Sequence, residues 1–170
     1  MKSTVLIVAS VWALLASGAL AKAPALPPAL EQAVSQSHEA LRKILNGDPS
    51  GYAALFAESD DITLGNPFGP FGKGPNEVRS RLANAATKYR DGTVRGVDRI
   101  AVYGSGDMFV LVEIEHGRAR LGSSPDFADF SARVTSVYGR TGRQWRLVHR
   151  HADPITTPRG AESMLPAPRP

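Results

Sequence analysis

The chain reads as an α+β domain, with helices on one face of a curved antiparallel sheet. Three observations predict this. Apolar residues recur at helical spacing in three stretches of the first half. From Thr93 the apolar period drops to two. Gly-rich joints then separate the alternating runs, as hairpin linkers do. Three helices followed by a strand meander pack as a helical layer on one sheet face. The length, 170 residues, suits one domain with a sizeable core.

The first segment precedes the fold. Lys2 supplies a short positive region, residues 4–16 are apolar apart from Ser10, and Ala19-Leu20-Ala21 is a small-x-small cleavage sequence. Residues 1–21 are expected to be a signal peptide, with the mature chain starting at Lys22. The apolar run is too short for a membrane span. The expected location is periplasmic or secreted, with no membrane association after processing. With no cysteine, neither a disulfide nor a lipid-bearing thiol is available. Residues 22–29 read as a flexible Ala/Pro lead-in.

Residues 30–45 form the first helix, with apolar positions 30, 33, 34, 41, 44 and 45. Asn46-Gly47-Asp48-Pro49 stops it. A second short helix spans 50–57, and 62–64 is a brief strand. Residues 66–74, "NPFGPFGKG", are all turn chemistry and read as a loop folded back over something apolar, either a plug on the core or a lid over a pocket. Pro75 opens a third helix over 76–89. Strands follow at 94–103, 108–116, 127–139 and 144–152, with joints at 104–107, 117–125 and 140–143. The domain therefore covers 30–153, and 154–170 is a Pro-rich tail.

Lysine and arginine number 20 against 16 acids, a net charge of +4, and they are scattered. No dense basic run marks a nucleic-acid partner. No Gly-rich phosphate cradle joins a strand to a helix, and no serine sits in a nucleophile elbow. The chemistry left is acid–base work by His, Glu or Asp, and no cofactor is expected.

"NGDPSGYAALFAESDDITLGNPFGP" resembles the helix, Gly-Asp turn, helix and first strand of SnoaL-like members of the nuclear-transport-factor-2-like superfamily. "RVTSVYGRTGRQWRLVHRHADP" resembles their closing hairpin, and also the end of the association domain of calcium/calmodulin-dependent kinases. The resemblance implies a cone-shaped α+β barrel, a pocket between sheet and helices, and a homodimer. "DDITLGNPFGP" is similar to the ketosteroid-isomerase segment that carries a proton-abstracting aspartate before a proline. Here that place holds Asn66, and an amide takes no proton near neutral pH. The isomerase chemistry is not carried over.

The candidate site residues follow from parity and chemistry. Residues two apart on a strand share a face. Trp145, Leu147, His149 and His151 therefore share one, and Arg146, Val148 and Arg150 the other. Two arginines suit water, so the histidine face is expected inward, with His149 and His151 as acid–base groups or pocket-wall residues. A metal would need a third ligand, such as Asp153, Glu113 or Glu115. No metal is assigned. Arg133 is the expected anion contact, pointing inward as the kinase-domain resemblance implies. Glu113, or Glu115 on the same face, is its expected partner; a structural Arg–Glu brace is the alternative. Asp61 is a candidate base at the pocket mouth, or a solvated turn residue. Tyr52, Asn66, Phe68 and Phe71 complete the expected ligand-binding set. The expected function is binding a small molecule, an organic acid if Arg133 faces it. The alternatives are a lyase, isomerase or hydrolase without cofactor, or a non-catalytic assembly domain.

Overall fold

Pro27 and Pro28 cannot sit inside a helix but suit its first turn, and there the first helix begins. In the computed structural model, which describes residues 26–165, α1 spans Pro28–Ile44 and buries Leu30, Ala33, Val34, Ser37, Leu41 and Ile44 along one stripe. Glu31 in its first turn and Arg42 and Lys43 in its last complement the helix dipole. The expected flexible lead-in is thus shorter than 22–29. Leu26 already packs on the core, and Pro28 and Ala29 are helical. The expected signal peptide and residues 22–25 lie outside the described residues.

The second helix is shorter than its apolar stripe suggests. α2 covers Ser50–Ala53. Beyond it the chain extends, because the Ala57 amide donates to the Leu147 carbonyl and the Leu147 amide to Leu55 (both 2.9 Å). Strand pairing there displaces the helical turn that residues 54–57 would otherwise make.

The stretch 66–74 is not a loop. β1 (Thr63–Asn66) and β2 (Gly69–Lys73) form an antiparallel hairpin around Pro67-Phe68, with Asn66 opposite Gly69. The Asn66 Oδ1 accepts the Phe68 amide at 2.9 Å and builds the turn. Gly and Pro mimic a loop in sequence, yet Pro70 is tolerated because β2 is a sheet edge. α3 (Gly74–Ala86) follows, with Pro75 in its first turn and Glu77 accepting the Lys73 amide at 3.0 Å. It ends before Tyr89, which starts the next strand rather than finishing the helix.

β3 (Tyr89–Ser105), β4 (Met108–Leu121), β5 (Phe127–Thr141) and β6 (Gln144–Asp153) are longer than their alternating cores. The expected joint at 117–125 shrinks to the turn after Leu121, since pairing runs on to Tyr89 opposite Leu121. The sheet order is β2-β1-β6-β5-β4-β3. The β1–β6 pair is parallel and the others antiparallel, so the sheet is mixed. Its edges β2 and β3 do not meet, so the cone is open. The three helices cover one face, as expected of the α+β class. That inner face carries Phe109, Leu111, Val134, Tyr138, Trp145 and Leu147, all buried.

One irregularity decides which side chains reach the interior. Leu147 pairs with Tyr138, but His149 pairs with Val137, so Val148 is an extra residue. This bulge resets the alternation of β6. Trp145 and Leu147 point inward before it, and Arg150 and Ala152 after it. His149 and His151 therefore lie on the opposite face, against the expectation from simple parity. Gly139 makes room, since a Cβ there would stand 3.0 Å from Val148 Cγ1.

Another glycine locks the helical layer to the sheet. A Cβ on Gly92 would meet the Leu45 Cβ at 2.5 Å and the Leu45 carbonyl oxygen at 2.7 Å. The Gly92 amide donates to that carbonyl, and Asn46 Nδ2 donates to the Gly92 carbonyl at 2.9 Å. Gly92→Ala is expected to destabilise the fold by about 1–3 kcal/mol, the range for overpacking. Denaturant unfolding measures it, and a change near zero would show that the helix end and β3 are not in this close contact.

His149 ties β1 to β6 on the opposite face, its Nδ1 lying 2.7 Å from Thr63 Oγ1. Burial first, and the neighbouring His151 second, hold its pKa below the ordinary 6.5. At pH well above 6.5 the group is neutral in folded and unfolded chains alike. As the pH falls, the unfolded chain takes up this proton first, so folding stability declines with acidification. His149→Asn is expected to make the melting temperature less sensitive to acid between about pH 7 and pH 5. An unchanged acid slope in thermal melts would rule out this role for His149.

Candidate functional site

A cavity of about 220 Å³ lies between α1, α3 and the inner sheet face. Its walls are largely apolar: Leu41, Ile44 and Leu45 come from α1, Leu82 and Ala85 from α3, and Leu64 from β1. Phe68 and Tyr89 meet edge-to-face with centroids 5.5 Å apart, and Tyr89 lies 5.7 Å from Phe130, which gives the cavity an aromatic collar. Asn66 and Pro154 also line it.

Besides Asn66, the polar side chains Tyr52, Tyr89, Glu115, Ser131 and Arg150 interrupt this apolar lining. Glu115 projects inward from β4, in register with the apolar inner positions of that strand. Arg150 projects inward from β6 because of the bulge at Val148. Its Nη2 donates to both Glu115 oxygens at 2.7 Å, and both residues are buried, Arg150 at 7% exposure. Burial alone disfavours the charged guanidinium. The adjoining Glu115 carboxylate more than reverses that and holds Arg150 above the usual arginine range. The guanidinium carbon lies 4.8 Å from the Tyr52 ring centroid, a cation–π contact. Arg150 Nε is buried without a hydrogen-bond partner. Burial pushes the Tyr52 hydroxyl far above its ordinary pKa and that of Tyr89 up to about 12, so both stay protonated near neutral pH.

The residues singled out by sequence fall into two groups. Tyr52, Asn66 and Phe68 line the cavity. The others do not. Arg133, expected inward, lies on the opposite face at 52% side-chain exposure, where it pairs in a fork with Asp153 through two 3.0 Å bonds. Its register partner Ile114 occupies that same face, which settles the parity. Glu113 is buried but serves another contact. It braces α1 to the sheet through His38 (3.3 Å) and Arg99 (3.4 Å), which also reaches Glu31. Burial raises the Glu113 pKa, but His38 and Arg99 outweigh it and leave it below the usual carboxylate range. His149 and His151 are on the opposite face for the reason given above. Phe71, 55% exposed, lies against them, with centroids 6.1 Å and 5.3 Å away. Gly65 lets it sit there, since a Cβ would come within 2.6 Å of the Phe71 ring and 2.9 Å of His151. Asp61 is exposed in the turn before β1 and does not line the cavity. Asp153, considered as a third metal ligand, is held by Arg133 instead.

The cavity residue that parity missed is Arg150, and Glu115 entered only as a partner for other groups. A usable signal was present. Two acids at inner positions of an apolar strand, "FVLVEIEH", each require a buried cation. The cation on β6 becomes available only if that strand contains a bulge, and no residue in "WRLVHRHA" announces one.

A separate polar chain crosses the opposite face. His116 Nδ1 lies 2.8 Å from Ser131 Oγ, and its Nε2 lies 3.0 Å from Asp98 Oδ2. Asp98 is largely solvated, and the chain links β3, β4 and β5 as a cross-strand brace.

Comparison with known proteins agrees with this architecture. No curated protein matches the sequence. Among solved structures, a nuclear transport factor 2-like superfamily protein from Salmonella enterica Typhimurium is similar at TM-score 0.64 and 16% identity, over 78% of this chain and 93% of that one. A ketosteroid isomerase-like protein from Erwinia carotovora atroseptica is similar at TM-score 0.59 and 15% identity, over 76% and 95%. An NTF2-like protein of unknown function from Pseudomonas putida is similar at TM-score 0.57 and 21% identity, over 80% and 89%. At these identities the likeness is one of fold. The SnoaL-like domain model matches residues 30–156, so the chain belongs to the SnoaL-like domain family.

Proposed function

We propose that this is an exported small-molecule-binding protein and that the interior cavity is its binding site. The observation that carries the reading is an empty volume of about 220 Å³ behind largely apolar walls, between the helices and the sheet. A molecule whose apolar surface fills that volume is taken out of water, at roughly 25 cal/mol per Å². Binding is favoured over acid–base catalysis because no lining side chain is placed to take a proton. Asn66 is an amide, and both oxygens of Glu115 are engaged by Arg150. Export rests on the leader-like residues 1–21.

The proposed partner is a second copy of the chain, docked through the sheet face away from the helices. That face carries Val110, Val112, Ile114 and Val137 in adjoining register, all only half-buried, flanked by the exposed Tyr103 and Met108. Such a patch is self-complementary about a two-fold axis. It also exceeds the scattered exposed apolar side chains of an ordinary surface.

Two outcomes follow. Ala85 lines the cavity, so Ala85→Leu places a side chain in empty volume rather than in packed core. Its melting temperature is expected to equal or exceed the parent's, and small ring compounds that bind the parent in saturation-transfer NMR should no longer bind. A parent that binds no such compound, or a variant that retains the same hits, would sink the cavity reading. For the partner, Val112→Arg is expected to convert a dimer to a monomer in sedimentation equilibrium without lowering the melting temperature. A parent that sediments as a monomer at every concentration would remove the dimer.

A further inference from the structure

A second recess lies on a different face of α1 and shares no lining residue with the interior cavity. It holds about 500 Å³, within the roughly 300–1,000 Å³ typical of small-molecule sites. Its walls come from α1, α2 and the turn between β5 and β6. Part of its lining is apolar, with Ala33, Ala40, Leu55 and Trp145 all buried. Gly51 brings α2 close to α1 there, since a Cβ would stand 3.0 Å from the Ala40 Cβ. Three lining side chains are cations: Lys43, Arg143 and Arg146. Among the described residues none of them forms an ion pair. Asp48 is near enough to Lys43 to feel its charge, without pairing. The one acid in the lining, Glu39, is held by Arg42. Arg146 is fixed by neutral acceptors. Its Nη1 donates to the Ala54 carbonyl and its Nη2 to Gln144 Oε1, both at 2.6 Å. Ala54 and Gln144 line the same recess, so the guanidinium is held along its wall. These bonds position the charge and leave it unneutralised. Gln32 and Gln36, one turn apart on α1, add amide groups able to donate.

We infer that this recess is a second binding site, for a small organic anion of the phosphate-ester class. A phosphate monoester carries a charge of about −1.5 to −2 near neutral pH and three acceptor oxygens. Three cations without acidic partners, with amides beside them, suit it better than they suit a single carboxylate. A guanidinium held in place beforehand also loses little freedom on binding. The apolar lining takes the organic part. The inference is independent of the interior cavity, whose one cation, Arg150, is held by Glu115.

Amide NMR titration of the mature chain at neutral pH tests this with phenyl phosphate, benzoate, inorganic phosphate and phenol as probes. Phenyl phosphate is expected to shift the amides of Gln36, Gly51 and Arg146 at the recess, and to leave those of Phe68 and Ala152 at the cavity unmoved. Benzoate and inorganic phosphate should bind the recess severalfold more weakly, and phenol should not perturb it. Arg146→Gln is expected to weaken phenyl phosphate roughly tenfold, the effect of one charge-assisted hydrogen bond. Because Arg146 also ties β6 to Ala54, its melting temperature is measured alongside. Arg143→Gln, at an exposed position on the turn, should weaken binding severalfold without lowering the melting temperature. Arg95→Gln removes the same charge from an exposed position outside the recess and should leave the affinity unchanged. Shifts confined to the cavity amides, or no saturable shift at all, would overturn the site. Equal losses for Arg143→Gln and Arg95→Gln would reduce the effect to net charge and overturn it too. If benzoate binds the recess as tightly as phenyl phosphate, the phosphate-ester class is overturned.

Discussion

The buried ion pair between Arg150 and Glu115 constrains more of this molecule than any other contact. Taking two charges out of water costs several kcal/mol per ion before their attraction is counted, so the arrangement holds only where the geometry is close. Here it is close, with one guanidinium nitrogen on both carboxylate oxygens at 2.7 Å. The pair joins β4 to β6 across the intervening β5. Ala132 pairs with Glu115 and Ser136 with Arg150, and Val134 lies between them. All three are short side chains, so nothing on β5 blocks the reach. The bulge at Val148 belongs to the same arrangement. Without it Arg150 would lie on the other face, and Glu115 would be a bare charge in the core. Gly139, against which Val148 packs, allows the bulge.

The pair also explains why the interior has two kinds of acid. Glu113 and Glu115 stand two apart on the same inner face, yet their partners differ. Glu113 is met by His38 from α1 and Arg99 from β3, and so fixes the helix to the sheet at the side of the cavity. Glu115 is met only from within the sheet and faces the empty volume. One acid closes an interface between layers. The other ties two strands of the sheet together beside the cavity and leaves Arg150 Nε without a partner.

Much of the fold was legible because its period was regular. The stripe of α1, the Gly47 stop and the alternation of residues 108–116 all stand in the structure as the side-chain spacing requires. The misreadings occur where tertiary pairing overrides a local signal. "NPFGPFGKG" has loop composition, but its partner strand turns it into an edge hairpin. Tyr89 completes a helical stripe, but pairing with Leu121 recruits it to β3. At the site the limit was sharper. Tyr52, Asn66 and Phe68 were reachable from helix faces and turn chemistry. His149, His151, Arg133 and Phe71 were not separable from the true lining, because one inserted residue exchanges the faces of a strand. The two inner acids on β4 were the stronger clue, since a buried carboxylate demands a buried cation whatever the parity of the next strand suggests.

The same geometry bears on what this fold can do here. An open α+β cone with helices on one face supports several unrelated functions, so the likeness to isomerase-like structures does not transfer their chemistry. Chemistry depends on which protons can move. Acid–base catalysis needs a group in the cavity able to take a proton near neutral pH. The amide of Asn66 cannot take one there. The lone pairs of Glu115 face Arg150, and His149 and His151 stand behind the sheet with Phe71. What the cavity offers is apolar surface and a charge pair summing to zero, with the carboxylate of that pair already engaged.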